Sequence, residues 1–430
     1  MDGKKKVLII TYYWPPAGGP GVQRWLKFVK YLPEYDIEPI VYCPLDPNYP
    51  IVDESLLDEL PEHIKVIKQP ISEPYRFAKL LSKKSSKAIS TGVIPKKEKQ
   101  SLIERLLLYV RGNFFIPDAR KSWVKPSVKF LLDYIKKNDI ETVITTGPPH
   151  SLHLIGLNLK QNIGLNWIAD FRDPWTTIGY HKALKLRKSA KQKHLQLESD
   201  VLTNADQIIV TSNHTKKEFL TKTDKPIDVI TNGYDSHSVI VEKKDSDFTI
   251  SHIGSLLSER NPTILWEVLS ELVKEDEAFA SKLKLNLIGV VSDAIIRSIS
   301  SYGLVNHLNT PGYVNHYEAI AFQKKSQLLL LIEIDSEDTK AIIPGKLFEY
   351  MISETPIVAF GPENSDVEGI IKKTNTGTYF RYSDKFILKE HIKEAFNTYK
   401  AGALKTHPIG LQQYSRQSLT ECLAKLVKNV

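Results

Sequence analysis

Two cysteines in 430 residues, Cys43 and Cys422, are too few for a disulfide framework or a cysteine-rich zinc site. A reducing, cytoplasmic setting fits that scarcity. Long apolar runs are also missing: the longest, such as LLLLI at 328–332, fall far short of the ~18 residues a membrane span needs. The opening KKKVLIITYYW has a short apolar run and no small-residue cleavage site, so it reads as a first β-strand rather than a signal peptide. There is no short tandem repeat and no low-complexity tract. The dinucleotide fingerprint is incomplete as well. Gly19-Pro20-Gly21 would need a third glycine where Arg24 stands, and Cys43-Pro44 ends the second strand where an acidic residue is required, which argues against a nicotinamide enzyme.

What is present describes an ordinary globular protein, 42% hydrophobic and 25% charged. Its length exceeds one hydrophobic core, and two domains of roughly 200 residues are expected. Strand-like and helix-like runs alternate throughout, the pattern of parallel sheets covered by helices on both faces. In the first half the predicted strands are VLIIT (7–11), EPIVYC (38–43), IKVIKQ (64–69), TVITTG (142–147), WIADF (167–171), QIIVTS (207–212) and IDVITNG (227–233). The series restarts with FTISHIG (248–254), LKLNLIGV (283–290), LLLLIEI (328–334), PIVAF (356–360) and TGTYF (376–380). The fold class is therefore α/β, with two doubly wound domains in tandem, 1–240 and 241–405, joined near the polar stretch Tyr234 to Asp247. Residues 406–430 end in a helical pattern with Leu419, Leu423 and Leu426 on one stripe.

Charge is concentrated locally. Between Ile71 and Lys125 stand thirteen Lys or Arg against four Asp or Glu, a surplus of nine that exceeds the whole-chain +8. LLSKKSSKAIS and SLIERLLLYVRGNFF mix apolar stripes with basic residues there. That composition suits an interfacial helix on anionic lipid, or equally a solvated lid over the first domain. No nucleic-acid-binding module accompanies the charge, so no nucleic-acid partner is expected.

Three segments carry candidate chemistry. In PGKLFEYM, Pro344 to Met351, Lys346 and Glu349 lie one turn apart on a helix face, with Leu347, Tyr350 and Met351 on the other. The strand-to-helix turn before them is a candidate anion site, with Lys346 suited to a pyrophosphate and Glu349 to a ribose diol. In HIGSLLSERNP, Gly254 and Ser255 follow a strand, and Arg260, expected at the start of a helix, has a fork suited to phosphate. The loop YYWPPAGGPGVQRW, Tyr12 to Trp25, follows the first strand and brings Gly18 and Gly19 to the carboxyl end of a sheet, where ligands of such sheets bind.

Taken with ITNGYD at the domain junction and the continuation of PGKLFEYM into ISETPIVAFGPENSD, these motifs resemble family-4 glycosyltransferases of the GT-B fold, of the bacterial cell-surface glycan type. The resemblance covers the chain apart from the basic stretch. It implies two Rossmann-like domains facing an interdomain cleft, with the terminal helix crossing back to the first. It further implies a hexosyltransferase of polysaccharide biosynthesis that uses a nucleotide-diphosphate sugar. Arg260 and Lys346 would clamp the diphosphate, Glu349 would hold the ribose, and Ser255 would lie beside the phosphates. Backbone at Tyr313 and Val314 would face the base, and Gly18 and Gly19 would cover phosphates and sugar from the first domain. Sugar would pass with retained configuration to a glycan or lipid-linked acceptor, with no metal or other cofactor, at the inner face of the plasma membrane. On the acceptor side, TGPPHS (146–151) and IADFRDPWTT (168–177) offer His150, Asp170, Arg172 and Asp173 as candidate catalytic groups. Packing or a salt-bridge network is the competing reading for these four. One departure stands out: the family's first signature glutamate falls at position 341, which is alanine here. A GT-B 2-epimerase and a catalytically silent nucleotide-sugar-binding partner are the alternatives.

Overall fold

Strands that alternate apolar residues toward two covered faces account for the architecture of the chain. The computed structural model describes residues 4–73, 102–182, 184–235 and 243–430, so LLSKKSSKAIS and the middle of the linker lie outside the described residues. The chain divides into two compact units, one formed by Met1–Asn232 with Arg416–Val430, the other by Gly233–Ser415.

The first unit holds seven parallel strands: β1 (Lys5–Ile10), β2 (Ile37–Leu45), β3 (Lys65–Pro70), β4 (Thr142–Gly147), β5 (Asn166–Phe171), β6 (Gln207–Val210) and β7 (Ile227–Val229). Their order is β3-β2-β1-β4-β5-β6-β7. Strand β1 sits centrally, with Leu8 opposite Ile40 on one side and Val143 on the other. Its Val7 and Ile9 enter one core, and Leu8 and Ile10 enter the core on the opposite face. The helix Arg416–Asn429 belongs to this unit, burying Leu419, Leu423 and Val427 in the Val7/Ile9 core. Lys5 Nζ donates to the Val427 carbonyl at 2.6 Å, and Asn166 Nδ2 to that of Val430 at 3.0 Å. Near the two ends of the basic stretch, Glu73 and Arg120 meet. The Tyr12 hydroxyl donates to Glu73 Oε1 at 2.5 Å, and Arg120 Nε lies 3.5 Å from the same oxygen.

The second unit holds six parallel strands: β8 (Phe248–Ile253), β9 (Leu283–Ile288), β10 (Leu308–Gly312), β11 (Leu328–Ile332), β12 (Ile357–Phe360) and β13 (Gly377–Phe380), in the order β10-β9-β8-β11-β12-β13. Within β11, Leu328, Leu330 and Ile332 face one core while Leu329 and Leu331 face the other. Each sheet reverses its strand order at its middle, between β1 and β4 and between β8 and β11. Open parallel sheets receive ligands beyond the carboxyl ends of the strands at such a reversal. Among the described residues no helix is long and apolar enough to cross a membrane.

Candidate functional site

At the reversal in the second unit, β8 ends and the chain leaves through Gly254, whose φ is +112°. A Cβ at Gly254 would lie 2.8 Å from Lys346 Nζ, so glycine serves both the backbone conformation and the approach of the ammonium. Lys346 opens the short helix Lys346–Met351, which buries Leu347, Phe348, Tyr350 and Met351 and leaves Lys346 and Glu349 half-buried. The Tyr350 hydroxyl accepts from the Ile253 amide at 2.9 Å, fixing the helix against the end of β8. The amides of Leu347 and Phe348 bond the carbonyls of Pro344 and Gly345, so the positive charge of this turn comes from the Lys346 side chain.

Lys346 Nζ lies 3.3 Å from Nε2 of His252, a buried histidine of β8. Burial first, then the charges of Lys346 and Arg260, hold the His252 imidazole well below its ordinary range, so it accepts from the ammonium. Burial, followed by the Arg260 guanidinium, pushes Lys346 down to about 7, against the opposing pull of Glu349. Arg260 therefore lies within electrostatic reach of Lys346, and neither cation has an ion-pair partner among the described residues. Arg260 itself occupies a turn, its amide bonded to the Leu257 carbonyl, and the helix begins only at Thr263. This corrects its expected place at a helix start, because Pro262 caps the helix two residues later.

Glu349 accepts from Nε2 of Gln323 at 3.0 Å, which turns its carboxylate toward the helix His316–Lys325. Ser255 is exposed. Tyr313 is 87% exposed, just past β10, while Val314 packs partly on the core beneath Lys346–Met351. Two buried polar residues of this neighbourhood, His252 and Gln323, were not among the residues expected from sequence. A third is Glu333, the first residue past β11, whose signal is a carboxylate ending a run of five apolar residues.

In the first unit the expected residues gather at the carboxyl ends of β1, β4 and β5. Gly18 packs on residues 51–53, where a Cβ would meet Ile51 at 2.9 Å. Gly19, at φ +103°, precedes the helix Pro20–Tyr31 and has open space around its Cβ position. Asp170 is fully buried, with both oxygens engaged: Arg24 donates at 2.9 Å, Trp25 Nε1 at 2.9 Å and Thr146 Oγ1 at 2.8 Å. As placed it ties β5 to β4 and to the helix Pro20–Tyr31 and has no surface to offer an acceptor. Arg172 packs its guanidinium on Gly21 and bonds the Pro148 carbonyl. Burial raises the Asp173 carboxyl, and the neighbouring Arg172 charge opposes the rise.

His150 stacks on Trp175 with ring centroids 4.8 Å apart, and both its ring nitrogens are buried without a partner. It belongs to a cluster with His153, His181 and His194, all buried. Desolvation keeps every member of the cluster below the usual histidine range, with His153 near 3 and His181 near 4. Among the described residues no group of three or more His, Cys, Asp or Glu is arranged to hold a metal ion.

No protein-family model and no curated protein sequence matches this chain. Solved structures do. A glycosyltransferase from Rickettsia africae superposes with a TM-score of 0.64 at 13% identity, covering 99% of this chain and 98% of that one. The Anabaena protein HepE in complex with UDP gives 0.62 at 12% identity, covering 99% and 100%. A structure described as a putative UDP-N-acetylglucosamine 2-epimerase from Listeria monocytogenes gives 0.56 at 12%, covering 99% and 96%. Two parallel sheets of seven and six strands, matched over nearly the full length of such proteins, give this chain the GT-B fold of two Rossmann-like domains.

Proposed function

We propose that this protein is a glycosyltransferase that takes a sugar from a nucleotide-diphosphate donor bound by its second unit. The observation that carries the reading is the pair of basic groups, Arg260 and Lys346, within electrostatic reach of each other at the strand-order reversal, with no ion-pair partner for either among the described residues. Two like charges so placed repel each other, and a diphosphate is the ligand that relieves them. Glu349, one turn further on, holds the ribose, Ser255 lies beside the phosphates, and the backbone at Tyr313 and Val314 faces the base. The glycosyltransferases and the UDP complex among the structural neighbours support a nucleotide-sugar ligand.

In this reading the reaction is displacement at the anomeric carbon with retention. The acceptor oxygen forms the new glycosidic bond as the bond to the diphosphate breaks, and a phosphate oxygen of the leaving group takes the acceptor proton. No covalent carboxylate and no metal is assigned. Arg260 and Lys346 stabilise charge on the leaving diphosphate. Gly18 and Gly19 give donor phosphates and sugar close access to backbone. Arg172 and Asp173, half-buried past the carboxyl end of β5, serve the acceptor, while His150 packs on Trp175. Asp170 holds their strands. The acceptor is a glycan or a lipid-linked sugar, as for a hexosyltransferase of polysaccharide biosynthesis.

The expected result is that Arg260→Ala and Lys346→Ala each lower turnover by about 100-fold, the scale of one lost preorganised donor. Both should also abolish the thermal stabilisation that one of the UDP, GDP or ADP sugars gives the wild type. Near wild-type turnover in both variants sinks the proposal. Because an epimerase shares the fold, donor is also incubated alone: slow hydrolysis supports transfer, an epimerised sugar replaces it with isomerase chemistry, and binding without turnover marks a silent partner.

A further inference from the structure

Glu333 stands at the strand-order reversal of the second sheet, and the donor reading leaves it without a role. It is 4% exposed, and no cation lies within ion-pair distance of it among the described residues. Its Oε2 accepts from the Tyr379 hydroxyl at 2.7 Å and from Ser365 Oγ at 3.1 Å. Its Oε1 is buried with no partner. Gly361, just past β12, comes so close that a Cβ there would lie 2.6 Å from Oε2. An ionised carboxylate in this setting would be buried with one oxygen unsatisfied, which favours the acid form.

The groups facing it come from three directions. Tyr379 lies in β13 and Tyr382 follows it, the latter donating to the Glu333 carbonyl at 2.7 Å. Ser365 and Asp366 lie at the start of the helix Asp366–Thr374, and Arg260 follows β8. Burial dominates and, with Asp366, raises the Glu333 carboxyl to about 8, against the two hydroxyls and the Arg260 charge.

We propose that Glu333 is the internal rival of the ligand at this site: uncharged, it leaves the Arg260 guanidinium to an incoming diphosphate, and ionised, it competes for that guanidinium's charge. Glu333 is thus a positioning residue, acting on the ligand through Arg260. The proposal rests on the donor reading above. A diphosphate and an ionised Glu333 disfavour each other, so binding requires the acid form and affinity falls as pH rises through its range. Between about pH 7 and about pH 9 this group alone weakens binding roughly tenfold. Lys346 loses its charge over the same range, so the test compares variants.

Affinities of UDP, GDP and ADP are measured by calorimetry at about pH 7, 8 and 9 for the wild type and Glu333→Gln, whose amide reproduces the acid's shape and neutrality. The two proteins should bind alike near pH 7, and Glu333→Gln should bind about tenfold tighter near pH 9. Superimposable pH curves overturn the proposal while leaving the donor site intact, whereas failure of the wild type to bind any of the three nucleotides removes the donor reading and this proposal with it. An infrared difference spectrum of the unliganded proteins near neutral pH gives an independent check. A protonated-carboxyl band present in the wild type and absent from Glu333→Gln is expected, and its absence from the wild type overturns the proposal.

Discussion

Lys346 is held at about 7 by burial and by the Arg260 charge, so in the free protein at neutral pH it is only partly protonated. A bound diphosphate reverses that balance, because an anion favours the charged form. Binding near pH 7 should therefore take up roughly half a proton, from Lys346 in the main. Calorimetry in two buffers of different ionisation heat measures the uptake, and Lys346→Arg, which stays charged, should show almost none. Equal heats in both buffers for the wild type would remove Lys346 from the anion site. Lys346 was readable as a candidate from its one-turn spacing to Glu349, and Arg260 from its place after an apolar strand and a Gly-Ser turn. His252 and Gln323 were not. Each lies within a strand or helix whose pattern reads as core, and only the fold shows that their polar atoms meet Lys346 and Glu349. Glu333 carried a signal, a charge ending LLLLI, but its significance depends on the strand order.

Among the elements, β5 and the helix Pro20–Tyr31 are joined by a buried ion pair, Arg24 with Asp170, both fully enclosed. Removing one member leaves the other charge buried without its partner, a change that costs about 3–5 kcal/mol. Asp170→Ala should lose that much in urea unfolding, whereas Arg24→Met with Asp170→Leu, which removes both charges together, should recover most of it. A loss of under ~1 kcal/mol for the single change would show that water or a shifted side chain reaches the pair. Strands were the most legible elements for the reason that makes this pair costly to break. Parallel strands covered on both faces read as continuous apolar runs, as in VLII and LLLLI. The exception is β10. Its sequence LNTPG is largely exposed and contains a proline, which edge strands tolerate, so it carries neither an apolar run nor an alternation. Without β10 the second sheet reads as five strands, and Tyr313 and Val314 follow an element the sequence does not announce.

At the scale of the whole molecule, the two units carry different chemical liabilities, and these give each a separate signature in calorimetry. The first unit buries His150, His153, His181 and His194 in neutral form. Their folded values lie below the unfolded value of about 6.5, so as pH falls the unfolded chain binds protons that the folded unit refuses. Stability is then whole above about pH 6.5 and declines below it, levelling off only near the folded values, about 3 for His153 and about 4 for His181. At pH 5 each fully refused proton costs about 2 kcal/mol. In the proposed function the donor binds the second unit, and a nucleotide sugar stabilises the unit that binds it. Differential scanning calorimetry should accordingly show two transitions that respond to different variables: one falling steeply as pH drops from about 7 to 5, the other rising with donor concentration. Replacing His153, whose Nδ1 meets Thr145 Oγ1 at 2.9 Å, by glutamine should flatten the acid response of the first transition and leave the donor response of the second unchanged. A single transition that shifts with both variables would mean that the units unfold together. An acid response unaltered in His153→Gln would move its origin from this histidine to other groups.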